Sequence, residues 1–487
     1  MCDLALRTRR SSRRLSLIHR IHHSSEILSA LAILAFGVSL SMSASGQDDV
    51  SRDLATIRVN RNLPGLSALV AKGGQVLAQG ASGDRRVGSG TPLRVTDPIN
   101  LGSCTKWMTA TIAGRLVDRG TISWSTRVRD LFDNYQTFNA ALQEVTLDQL
   151  LCHRGGVQQE TTFDTNHWSQ FMLQSGTNSI PQLRRWVSNA VLTDAPEVTP
   201  GTYLYANQGY AVAATMLELA SGKDWETLIR DEIFTPLRMT TATLGQVFDN
   251  VLPPKAPVGH DLASGTTLVP RLRLPNNYEY HYRAAVAAAG YVACTLQDWA
   301  KFIHIQATSD IGTYLTYPTG LILQQPYSGA GTEGYGRGIL SYHRSWALPG
   351  QALAHGGDIF GEDTQVWGAP ALDFIVVIYA NCSSANVNTG LALNDAATLL
   401  VLRYITSGAT GPLLEEPVGL PLHRVDNKDV FDFLTLPGVP YAVETSSDLQ
   451  SWSPANGASG QTATSLQTTF AAPHCGSRQF FRAKTVP

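Results

Sequence analysis

The run Phe374–Ala380, FIVVIYA, restricts the fold more than any other stretch, because it is continuously apolar and lacks the polar alternation of a half-exposed strand. Such a run belongs in the middle of a sheet, covered on both faces. Two segments before it, GYGRGILSYHR (334–344) and ALAHGGDIFGEDTQVWGAP (352–370), also read as strands, so three successive strands are expected here. NDAATLLVLRYITSG (394–408) then gives a closing helix.

The other end of the same region is also built of strands. LSALVA (66–71) and QVLAQG (75–80) flank Lys72-Gly73-Gly74, a hairpin signal. Between the two strand-rich ends the pattern is helical. Trp107, Met108, Ile112, Ala113 and Leu116 recur at helical spacing after Ser103, and Asp118-Arg119-Gly120 ends that run. VTLDQLLCHRGGV (145–157) starts a second helix with Thr146 as N-cap and Gly155-Gly156 as the break. SIPQLRRWVSNAVL, NQGYAVAATMLELASG, DWETLIRDEIFTPLRM and LQDWAKFIHIQAT continue the series.

The expected fold class is therefore α+β: an antiparallel sheet assembled from both ends of residues 47–405, flanked by helices and carrying an all-helical insertion. A Pro- and Gly-rich linker follows at 406–424. Short alternating runs, VFDFLTL, YAVETSS, SLQTTFAA and RQFFRAKTV, predict a small all-β module over 425–487. At the other terminus, an Arg- and His-rich stretch, the apolar ILSALAILAFGVSLSM and small residues read as an export signal over 1–46. The alternatives there are a twin-arginine signal through Arg13-Arg14 or an uncleaved anchor. An exported protein, periplasmic or extracellular, is expected. Cys104, Cys152, Cys294, Cys382 and Cys475 have no disulfide-framework or metal spacing and read as small buried residues.

Three short segments carry chemistry. Ser103 follows Gly102 and precedes a strong helix, where backbone N–H groups favour developing negative charge. Lys106 lies one turn on, on the same face, and burial would lower its pKa enough for it to accept the serine proton. The alternative is a capping serine and a solvated lysine. Tyr205 and Asn207 stand in a loop after Pro200-Gly201, where a phenol can share base duty and an amide can hold lysine and substrate; packing and N-capping are the alternative. His355, Gly356 and Gly357 lie on an expected strand, whose glycines let a substrate approach; a simple turn is the alternative. The backbone N–H of Asp358 would complete an oxyanion hole with that of Ser103.

Taken in order, Ser103-x-x-Lys106, Tyr205-x-Asn207 and His355-Gly356-Gly357 resemble the motifs of the penicillin-recognising serine hydrolases, a family that includes class C β-lactamases, family VIII esterases, D-aminopeptidases and DD-carboxypeptidases. LPGLSALVAKGGQVL, LDQLLCHRGGV, AAAGYVACTLQDWAKF and GYGRGI are similar to that family's flanking segments, so the resemblance covers about residues 52–405. It implies a β-lactamase/transpeptidase-like fold, an acyl-enzyme on Ser103, base duty shared by Lys106 and Tyr205, and Asn207 orienting substrate. His355 stands where many β-lactamases have a lysine. A mostly neutral imidazole recognises a carboxylate more weakly, which turns the implied substrate toward small esters or D-amino-acid amides and peptides. β-Lactamase or DD-carboxypeptidase activity is the alternative, and a catalytically silent ligand- or cell-wall-binding protein a further one.

The mechanism so implied needs no metal and no cofactor. A formal net charge of −2 gives no footprint for nucleic acid, so the expected partner is a small-molecule ester, amide or peptide. Tyr441, Trp452, Phe480 and Phe481 of the C-terminal module read as core aromatics, with cell-envelope or glycan association as the other possibility.

Overall fold

The computed structural model describes residues 47–245, 252–264, 267–272, 278–307, 314–327 and 333–407, together with the strands between His423 and Thr485. The expected export signal, Cys475, Trp452 and most of the expected linker (408–422) lie outside the described residues.

Eight strands form the main sheet: β1 Asp48–Asp49, β2 Gly65–Lys72, β3 Gln75–Gly83, β4 Gly334–Tyr335, β5 Leu340–Tyr342, β6 Ala352–Ile359, β7 Glu362–Ala369 and β8 Phe374–Ala380. Their order is β1-β3-β2-β8-β7-β6-β5-β4, antiparallel except for the β1–β3 pair. The apolar run is β8, and it pairs with β2, Val377 facing Leu69, so the two ends of the region meet at the centre of the sheet.

Alternation along β8 explains why the run cannot tolerate polar residues. Ile375, Val377 and Tyr379 pack with the central helices, whereas Phe374, Val376, Ile378 and Ala380 pack with the first and last helices of the region. The central set includes α2 Thr105–Asp118, α3 Leu147–Leu151, α4 Ile180–Thr193, α5 Asn207–Ser221 and α6 Leu296–Ala307. The opposite face is covered by α1 Ser51–Asn60 and by Val387–Val401. Expected caps are in place: Thr146 and Gln149 form a capping box on α3, and Gly120 takes φ +70 after α2. Lys72-Gly73-Gly74 turns the β2–β3 hairpin with both glycines at positive φ.

Several details depart from the sequence expectation. ALAHGGDIFGEDTQVWGAP is two strands, because Phe360 and Gly361 both adopt positive φ and fold it into a β6–β7 hairpin. A left-handed phenylalanine carries no turn signature in sequence. GYGRGILSYHR likewise divides into β4 and β5. The α3 helix stops at Leu151, and the break is made by His153 at φ +56 before the glycine pair is reached. The closing helix begins at Val387, where Asn386 accepts from the Asn388 N–H as N-cap, and continues in a π-turn to Ser407, the start of the expected linker. The helix at Ser51–Asn60 carries only Asp53, Leu54 and Ile57 inward and was not expected.

A small three-stranded sheet of Ile99–Asn100, Val292–Cys294 and Thr243–Leu244 holds the chain entering α2. In the C-terminal segment, Lys428–Leu434 pairs with Gln467–Pro473, and Pro440–Ser446 pairs with Phe480–Thr485, an all-β arrangement as expected. Tyr441 there is buried. Among the described residues, Cys104, Cys152, Cys294 and Cys382 are free and buried, and no helix is long and apolar enough to cross a membrane.

Candidate active site

Ser103 sits in a 3-10 turn, Gly102–Cys104, that runs directly into α2. The Leu101 N–H donates to the Val292 carbonyl at 2.9 Å and fixes the approach to this turn. Gly102 takes φ +51, and a side chain there would meet the Asp358 nitrogen at 2.9 Å. Gly357 closes the contact from the other side, since a Cβ on it would fall 2.1 Å from the Leu101 carbonyl oxygen and 3.0 Å from the Ser103 nitrogen. The turn and β6 therefore touch backbone to backbone, bringing the N–H groups of Ser103 and Asp358 to one place.

Lys106 is completely buried, and its Nζ has three polar neighbours: Ser103 Oγ at 3.0 Å, Asn207 Oδ1 at 2.8 Å and the Ala289 carbonyl at 2.7 Å. Two of these can only accept. A neutral amine has two N–H bonds and one lone pair, so giving both hydrogens to Asn207 and Ala289 leaves the lone pair for the Ser103 hydroxyl. Burial acts in the same direction and lowers the lysine pKa to about 7. The amine is thus poised near neutrality to take a proton from Ser103.

Tyr205 OH donates to Ser103 Oγ at 2.7 Å, and burial raises its pKa above the usual phenol value. It stays a hydroxyl donor at neutral pH. Its position depends on His153, whose Nδ1 accepts from the Ala206 N–H at 3.1 Å and whose ring lies 4.1 Å from that of Tyr205. The His153 carbonyl also accepts from the Leu204 N–H at 2.8 Å. The left-handed turn after α3 thereby clamps residues 204–206, and α5 starts at Asn207 with its amide aimed at Lys106 instead of capping the helix.

On β6, His355 donates from Nδ1 to the Gly356 carbonyl at 2.5 Å and accepts at Nε2 from Tyr335 OH at 2.9 Å. Both nitrogens are engaged, and with Nδ1 facing a carbonyl that can only accept, the neutral ring has Nε2 as its acceptor. Burial, with the Lys106 charge adding to it, holds its pKa at about 4. Cys104 faces the His355 carbonyl and Thr364 Oγ1, and burial pushes its thiol up to about 12, which makes it packing beside the serine and not a competing nucleophile.

Of the residues singled out in sequence, Ser103, Lys106, Tyr205 and Asn207 are in direct contact, and Ser103, Asn207 and Asp358 line one cleft. Gly357 abuts the serine turn, while His355 is buried and Gly356, which is exposed, pairs with Gln365 across the hairpin. Sequence reasoning missed His153, the Ala289 carbonyl and Arg283, which lines the cleft. The His-x-x-Gly turn was a visible signal for the first; a backbone carbonyl and a lone arginine had none. Among the described residues no group of three His, Cys, Asp or Glu side chains is placed to hold a metal ion.

At the mouth of the helical insertion a buried lysine thus stands beside a half-buried serine and tyrosine, an arrangement that can support acyl transfer. Residues 48–399 match the Beta-lactamase family model, and the chain belongs to that family. Penicillin-binding protein 4 of Amycolatopsis lactamdurans is 30% identical over 183 residues, 37% of this chain and 45% of that protein. The chain spans about half the length of the curated relatives it matches. Among solved structures, the octameric penicillin-binding protein homologue from Pyrococcus abyssi superposes with a TM-score of 0.56 at 19% identity, covering 79% of this chain and 87% of that one. A D-stereospecific amidohydrolase from Streptomyces sp. gives 0.52 at 18% identity over 74% and 98%. At these identities the likeness is one of fold.

Proposed function

We propose that the protein is an exported serine hydrolase that cleaves small esters or D-amino-acid amides and peptides through an acyl-enzyme on Ser103. The observation that carries this reading is the buried Lys106 amine 3.0 Å from Ser103 Oγ, since a neutral amine that gives its two hydrogens to Asn207 and Ala289 keeps its lone pair for the Ser103 hydroxyl. Lys106 takes the Ser103 proton as Oγ bonds to the substrate carbonyl carbon. The N–H groups of Ser103 and Asp358 receive the developing oxyanion. As the tetrahedral adduct collapses, the proton passes through Tyr205 OH to the leaving nitrogen or oxygen. Water then attacks the acyl-enzyme, giving its proton to the same amine and restoring Ser103 as the acid departs. Asn207 holds Lys106 in place and orients the substrate.

The neutral His355 favours ester and amide substrates over those anchored by a carboxylate, so β-lactam or DD-carboxypeptide turnover is the secondary reading. The D-stereospecific amidohydrolase from Streptomyces sp., a protein of the same fold, is by its name in keeping with the first. Residues 47–405 form the hydrolase domain in this proposal, 1–46 the export signal, 406–424 a linker and 425–487 a separate module. Intact-mass measurement of the mature protein with p-nitrophenyl acetate, a fluorophosphonate and a penicillin, beside Ser103→Ala, tests the nucleophile. An adduct present on the native chain and missing from the mutant is expected; equal labelling of both, or none, would overturn the assignment.

A further inference from the structure

Two charged side chains line the cleft beside Ser103: Arg283, on the helix Tyr278–Ala285, and Asp358, near the end of β6. They differ in how their charge is met. Arg283 Nη1 donates to both carboxylate oxygens of Glu160 at 3.3 Å, so its charge is balanced within the protein. Asp358 Oδ2 accepts from Ser383 Oγ at 3.1 Å, from the Ser384 N–H at 2.6 Å and from the Ser384 hydroxyl. All three donors are neutral. They fix the direction of the carboxylate without cancelling its charge, and among the described residues no cation stands within ion-pair distance of it.

The remaining basic groups do not alter this balance. His355 is buried, which keeps its ring neutral near pH 7, and Lys106 must be neutral to act on Ser103. The cleft therefore carries a net negative end at Asp358, and Asp358 is exposed to it. Its position relative to the chemistry is defined by its own backbone, because the Asp358 N–H lies against the Ser103 turn where the substrate carbonyl would sit. An α-ammonium is one carbon away from that carbonyl. A group at that distance comes within reach of a side chain rooted at the same residue.

We infer that Asp358 is a specificity-determining residue that selects acyl groups bearing an α-ammonium, as in amino-acid amides and esters, over N-acylated or carboxylate-bearing ones. The inference rests on the acyl-enzyme reading above and deepens it. A charge-assisted hydrogen bond of this kind corresponds to a preference of about 10- to 100-fold.

The test compares kcat/KM for D-alanine p-nitroanilide with that for N-acetyl-D-alanine p-nitroanilide, in the wild type and in Asp358→Asn, which keeps the backbone N–H and the side-chain volume. The wild type should prefer the free amine, and the variant should bring the ratio close to one. Because the preference is measured on the wild type as well, a variant that does not fold leaves the inference exposed: weakening of the wild-type preference by added NaCl is then the second expected result. Preference for the acetylated substrate, an unchanged ratio in Asp358→Asn, or a preference insensitive to salt would overturn it. Failure of the underlying reading is distinct, since turnover surviving in Ser103→Ala, or no labelling of Ser103 by fluorophosphonate, removes the acyl-enzyme itself.

Discussion

Raising the pH from about 6 to about 8 should increase kcat/KM for a neutral ester about tenfold, because the fraction of neutral amine at a group titrating near 7 rises from about one tenth to about nine tenths. The group is Lys106, whose pKa burial brings down to about 7. A phenolate base would behave otherwise. Burial lifts Tyr205 above the ordinary phenol value, so its ionised form is scarce throughout this range and its contribution would grow only in strong alkali. Other buried groups leave the acid limb clean: His355 is held at about 4 and His153 well below the ordinary imidazole value, both chiefly by burial. Glu362 and Asp363, raised by burial to about 8, ionise only at the upper edge. The assay is initial-rate hydrolysis of p-nitrophenyl acetate at constant ionic strength, with the spontaneous rate subtracted at each pH. This substrate has no titrating group, so the limb reports the enzyme. A profile flat between pH 6 and 8, or one rising only above about 9.5, would refute the neutral-lysine argument.

Four further results follow from the same geometry. Asn207→Asp places a carboxylate where Oδ1 now lies 2.8 Å from the amine, and should move the acid limb about one to three units toward alkali, read from the same profile. His153→Ala strands the Ala206 N–H and opens space beneath Tyr205; it should cost about 2–4 kcal/mol in denaturant unfolding. Gly357→Ala drives a methyl into the Leu101 carbonyl and should abolish fluorophosphonate labelling while destabilising by about 3 kcal/mol or more, checked by mass and by thermal melts. Glu362 keeps its proton to about 8 in the folded state, so the stability it contributes is full below the ordinary glutamate value and is lost as pH rises through about 8. Glu362→Gln should therefore gain on the wild type by about 1 kcal/mol or more between pH 6 and 9 in parallel melts.

What was legible in the sequence is what local pattern alone determines. FIVVIYA could be placed at the sheet centre because both of its faces had to be apolar, and β2 supplied the matching partner. Thr146 announced the start of α3 through its capping box, and Gly73-Gly74 announced the hairpin through positive φ. The Phe360-Gly361 turn was hidden because its first residue is one that sterics normally keep out of the left-handed region; the strands on either side hold it there. The helix at Val387 was hidden for a related reason, since its first turns contain Asn388 and Gly390, poor helix formers, and it is held by buried Thr389, Ala392 and Leu393.

The site follows the same division. Ser103 and Lys106 are close in sequence, so one helical turn suffices to relate them, and the spacing itself was informative. The state of Lys106 is another matter, because it depends on Asn207, 101 residues away, and on the Ala289 carbonyl, 183 residues away. Only when those two acceptors claim the amine hydrogens does the lone pair have a single direction left, toward Ser103. A lysine in the same Ser-x-x-Lys spacing but facing water would keep its proton near neutral pH and do nothing to the serine. The proposed Ser103–Lys106 pairing thus depends on the elements that carry Asn207 and Ala289, and a change that loosens either should lower the acid-limb response before it lowers binding.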